Sequence, residues 1–131
     1  TASATMLVPR PPQLFRGNNR VILYLEGPAT PMQIEEMCET LGDYIKVAAD
    51  IQRGVLAGGG EFHADSEAVL VENGSEQEDI WGADWFPKTK SIRFGALINI
   101  RPRQKNRSME IEDLQIQKSV ETVVRKLLEA K

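Results

Sequence analysis

Between Val21 and Ile51 the hydrophobic period changes twice, and that succession limits the fold more than any other feature of the chain. Val21, Ile22, Leu23, Tyr24 and Leu25 form a continuous apolar run of strand length. A helix is then signposted at both ends. Thr30 stands at the N-cap, Pro31 at the first helical position, Gln33 where a capping box needs it, and Gly42 just past the end. Inside it, Ile34, Met37, Cys38 and Leu41 recur at i, i+3, i+4 and i+7 and share one face, which turns Cys38 inward as a packing thiol. From Tyr44 to Ile51 the pattern alternates, with Ile45, Val47, Ala49 and Ile51 on one side and Lys46, Ala48 and Asp50 on the other. Strand, helix, strand predicts a right-handed crossover unit with its two strands parallel.

Further along, Val55 to Ala57 reads as a short strand running into Gly58, Gly59 and Gly60. Residues 65–73 fit either a helix capped by Asp65 or one arm of an Asn-Gly hairpin; helix is the reading adopted. Residues 79–86 and 91–100 predict a hairpin turning through Pro87 to Lys90, with Ile92, Phe94, Ala96, Ile98 and Ile100 on its core face. A final helix from about Asp113 carries an apolar stripe of Ile116, Val120, Val123, Val124, Leu127 and Leu128. The expected fold class is α+β: a mixed, mostly antiparallel sheet of four to five strands, with two long helices and one short helix packed on it.

At 131 residues, 41% of them hydrophobic and 27% charged, the chain is the size and composition of one folded domain. We place that domain at residues 21–131. Residues 1–20 read as a flexible arm, because they carry Pro9, Pro11, Pro12, Arg10, Arg16 and Arg20, no acid and no hydrophobic period. No apolar run approaches the ~20 residues a bilayer span needs. A lone cysteine forms no internal disulfide, which fits a reducing compartment and leads to a cytoplasmic expectation.

Three phrases occur together: Gly58-Gly-Gly-Glu-Phe-His-Ala-Asp65, Gln77-Glu-Asp-Ile-Trp-Gly-Ala-Asp-Trp85 and Ile98-Asn-Ile-Arg-Pro-Arg-Gln-Lys-Asn-Arg-Ser-Met-Glu-Ile111. In these the chain resembles a family of short, mostly bacterial and cyanobacterial proteins catalogued as a domain of unknown function (DUF5674-like), over residues 22–128. The resemblance implies a cytosolic bacterial setting. It brings no activity, cofactor or catalytic residue with it.

The net charge of −3 does not attract polyanions globally, so a phosphate-binding role requires a local patch. Arg101, Arg103, Lys105 and Arg107 alternate at i, i+2; in extended chain they project from the face that carries Asn99, with Asn106 alongside. With Trp81 and Trp85 as stacking platforms, that ridge would suit RNA, a nucleotide or another phosphorylated ligand. The bland readings are a solvated loop and two core indoles. His63, the only histidine, follows the glycines and precedes Asp65, with Glu78 further on; a hydrolase or nuclease would use it as acid or base, oriented by Asp65 or Glu78. No second histidine or cysteine at ligand spacing marks a metal site, and the residues name no cofactor. A binding module is the leading expectation, a protein-interaction partner the next, and a small hydrolase the third.

Overall fold

The computed structural model describes residues 13–17 and 20–129. Its centre is a six-stranded sheet in the order β1-β2-β4-β3-β5-β6, antiparallel throughout. The strands are β1 (Gln13–Gly17), β2 (Arg20–Leu25), β3 (Ile45–Asp50), β4 (Val55–Gly59), β5 (Ile80–Phe86) and β6 (Ser91–Arg93). Helices α1 (Pro31–Met37), α2 (His63–Glu72) and α3 (Leu114–Leu128) complete the domain.

Both faces of the sheet are covered, which is why its strands read as nearly continuous apolar runs. Met37 of α1 and Val120, Val124, Leu127 and Leu128 of α3 pack on one face with Val21, Leu23, Leu25, Ile45, Val47, Leu56, Trp81 and Trp85. Val69 and Leu70 of α2 pack on the other with Ile22, Tyr24, Ala48, Val55, Ala57 and Ile80. Alternate residues of β2, β3, β4 and β5 thus serve different cores.

Helix α1 has the expected capping box: Gln33 N donates to Thr30 Oγ1 at 3.2 Å and Thr30 N to Gln33 Oε1 at 2.8 Å. It stops at Met37, and a turn carries the chain to Gly42, whose φ of +85° ends it. Strands β2 and β3 run in the same direction, as the crossover predicts, but β4 lies between them and pairs antiparallel with both. Gly59, at φ +111°, pairs with Ile22 of β2, and a Cβ there would sit 2.2 Å from the Val21 carbonyl oxygen. The glycines before α2 are therefore a packing requirement of the sheet.

Three expectations are corrected. Part of the segment read as an arm is strand: β1 pairs with β2, raising the strand count to six, while residues 1–12 and 18–19 lie outside the described residues. The second hairpin arm ends at Arg93 instead of Ile100; Gly95 bridges to Glu110 and residues 97–99 form a 3-10 turn. Its apolar residues consequently divide, with Ile92 and Phe94 against one core and Ile98 against the other, while Ile100 is exposed. Finally, the N-cap of α2 is Phe62, so Asp65 lies in the helix's first turn.

Candidate functional site

Arg101, Arg103, Lys105 and Arg107 do not form an extended ridge. Pro102–Gln104 is a 3-10 turn, and Lys105 adopts the left-handed conformation at φ +62°. Arg101 turns inward: it donates to the carbonyls of Ile98 and Ile80, reaches Glu67 at 3.3 Å, and lies over the Trp81 ring. Burial pushes the Glu67 carboxyl up and the Arg101 guanidinium down, because desolvation outweighs the attraction between them. Arg103, Lys105 and Arg107 remain on the surface.

The neighbouring candidates are interior as well. Asn99 clamps Gly82 through both its N–H and its carbonyl, and Asn106 Nδ2 donates to the carbonyls of Asn99, Ser108 and Glu110. These amides replace ladder bonds that the irregular segment 94–112 cannot make for itself. Trp81 and Trp85 are each 1% exposed and belong to the core, so neither offers a face for a base. The Cys38 thiol is half-buried, and burial raises its pKa, which fits the inert role expected of it.

His63 behaves differently. It opens α2, where Phe62 supplies no side-chain cap, and its ring is almost enclosed beneath β5. Nε2 lies 3.0 Å from the Ala83 carbonyl oxygen and 3.0 Å from Asp84 Oδ1. Two acceptors facing one nitrogen require that it carry the proton, so Nδ1 of the neutral ring is a lone-pair acceptor. Nδ1 has no hydrogen-bond partner among the described residues. Among the described residues the buried unpartnered side-chain atoms are Asp50 Oδ2, Ser66 Oγ and Trp85 Nε1, and Nδ1 is not one of them. His63 lines a cleft, and Nδ1 is the ring nitrogen not committed to Ala83 and Asp84.

That cleft, about 470 Å³, lies between the start of α2 and residues 93–98. Its floor is a row across three strands: Lys46 stands opposite Asp84, and Asp84 opposite Arg93. Arg93 Nε and Nη2 hold Asp84 Oδ2 at 3.0 and 2.8 Å, leaving Oδ1 to His63. Lys46 Nζ donates to the Glu61 carbonyl at 2.8 Å. Tyr44 stacks on Phe86, and the Arg93 guanidinium lies over both rings. Around the mouth stand three apolar side chains, Phe62, Leu97 and Met109, that are 51%, 72% and 48% exposed.

Of the three residues expected to be catalytic, His63 lines the cleft, and Asp65 and Glu78 do not. Asp65 and Glu78 are exposed and make no contact with the imidazole; its carboxylate is Asp84. Sequence reasoning missed Asp84 and Arg93. The available signal was an acid within a strand whose other residues are apolar or glycine, opposite a cation on the next arm of a hairpin.

Fold and cleft together define a three-layer α+β domain with an apolar-rimmed pocket floored by polar side chains. The chain belongs to the DUF5674 family of proteins of unknown function, whose model matches residues 23–127. No curated protein and no solved structure matches it. Among the described residues no helix is long and apolar enough to cross a membrane, and no three His, Cys, Asp or Glu side chains are placed to hold a metal ion.

Proposed function

We propose that this domain binds a small ligand carrying one anionic group, a carboxylate or a phosphate ester, in the cleft floored by Lys46, Asp84 and Arg93. The observation that carries the reading is convergence: His63, the first turn of α2 and two cations line one pocket of ligand size. A helix start without a side-chain cap leaves N–H donors for an anion. Lys46 has donors beyond the one given to Glu61, and Arg93 Nη1 has no partner among the described residues. Asp84 and Glu110 line the same cleft and offset the two cations, which disfavours a polyanion. The apolar part of the ligand rests on Phe62, Leu97 and Met109.

Titration by isothermal calorimetry with butyrate, a nucleoside monophosphate and inorganic phosphate tests this. Saturable binding of at least one probe is expected, weakened about tenfold in Leu97→Glu, whose side chain is exposed enough to change without unfolding the domain. Binding of none of the three would contradict the proposal. A second reading, a docking surface for a protein partner, draws on the exposure of Phe62, Leu97 and Met109 around one opening. Pull-down of a partner that Leu97→Glu releases, with none of the three probes bound, would favour it.

A further inference from the structure

We infer that the same cleft is hydrolytic: His63 is a general base that activates water against a carboxylic ester with an apolar body, and Asp84 is its positioning residue. The inference rests on the ligand-binding reading above, with the carboxylate as reaction product. A histidine whose Nε2 is committed to a buried carboxylate while its ring lines a pocket is arranged to accept a proton at its other nitrogen. Asp84 is in turn fixed by two bonds from Arg93, which keep the carboxylate from rotating away from the ring.

Among the described residues no serine, threonine or cysteine lines the cleft, so the nucleophile is water. Its oxygen bonds to the ester carbonyl carbon as one of its protons passes to Nδ1. The carbonyl π electrons move to oxygen, which lies against Lys46 or the first-turn N–H groups of α2. Collapse of that intermediate breaks the bond to the alcohol oxygen, which takes the proton from Nδ1 and restores the neutral imidazole. The acid formed ionises and is held by the cations until it leaves.

The test uses p-nitrophenyl butyrate as substrate and butyrate as product probe, with folding of each variant checked by circular dichroism. Expected are turnover by the wild type inhibited by butyrate, and a fall of about 100-fold in His63→Gly, the usual scale of a general base. Added imidazole should restore part of that loss, which no structural role for the ring explains. Asp84→Asn should lower kcat about tenfold or more with KM within about twofold. Arg103→Ala, on the surface away from the cleft, should match the wild type. Butyrate binding without hydrolysis above the buffer rate overturns the catalytic inference and leaves the binding reading standing. Absence of butyrate binding together with hydrolysis unaffected by His63→Gly overturns the catalytic inference, and the binding reading falls with it only if the nucleoside monophosphate and inorganic phosphate fail to bind as well. If His63→Gly unfolds, the Asp84→Asn kinetics decide: equal kcat overturns the inference.

Discussion

Asp84 and Arg93 face each other across β5 and β6, and both Nε and Nη2 of Arg93 reach a single carboxylate oxygen of Asp84, at 3.0 and 2.8 Å. The other oxygen is thereby reserved for His63 at 3.0 Å. Asp84→Ala removes the shared acceptor, leaving a nearly buried imidazole N–H with only the Ala83 carbonyl. We expect a loss of about 2 kcal/mol in urea unfolding, toward the low end for charged hydrogen bonds because Arg93 stays solvated. Arg93→Ala should cost less, about 1 kcal/mol, since it takes away the exposed partner.

The four cations of residues 101–107 should separate sharply. Arg101→Ala strips partners from the carbonyls of Ile80 and Ile98 and from Glu67, and uncovers Trp81. A destabilisation of about 3 kcal/mol is expected. Arg103→Ala, Lys105→Ala and Arg107→Ala should each stay within about 0.5 kcal/mol of the wild type. Equal effects at all four positions would mean that Arg101 is not internal.

Much of this was legible in the sequence, and what escaped it did so for physical reasons. The capping signals of α1, the stripe of α3 and the alternation of β3 are local, and each is found where its period places it. Segment 94–100 keeps a strand-like alternation of apolar residues, yet Asn99 and Asn106 satisfy its backbone from the side, so the alternation feeds two cores instead of one face. The cationic alternation of 101–107 fails because Pro102 starts a 3-10 turn and Arg101 finds carbonyls to donate to. His63 was visible as a lone histidine. Its partner was not, because Asp65 and Glu78 are nearer in sequence while Asp84 is brought to it only by packing of α2 on β5.

The amide clamps give a sharp prediction of their own. Asn106 donates to three carbonyls and accepts from Glu112 N, at 3% exposure. Asn106→Asp keeps the shape but replaces the donor with an acceptor, setting like dipoles against one another. Its cost should reach about 3 kcal/mol, no less than that of Asn106→Ala. An Asp variant as stable as wild type would contradict the assignment of the amide.

Glu112 supplies an acid-side test. The backbone N–H of Arg107, with the hydroxyl and N–H of Ser108, holds its carboxyl below the usual glutamate range. A depressed carboxyl contributes stability that is present above its unfolded pKa and lost as pH falls through its folded one. Protection of the Arg107 and Ser108 amides from hydrogen exchange should therefore decline on acidification, and Glu112→Gln should flatten that decline. An unchanged acid limb in the variant would assign the effect elsewhere.

The most direct test of the cleft itself exploits His63 being the only histidine. Its ring nitrogens are followed by two-dimensional ¹H–¹⁵N NMR at neutral pH, first alone and then with butyrate or a nucleoside monophosphate. The account predicts a protonated Nε2 and an unprotonated Nδ1, and a saturable shift of Nδ1 accompanied by the methyl resonances of Leu97 and Met109. A proton on Nδ1 in the free protein, or shifts confined to residues 103–107 while His63 stays still, would contradict it.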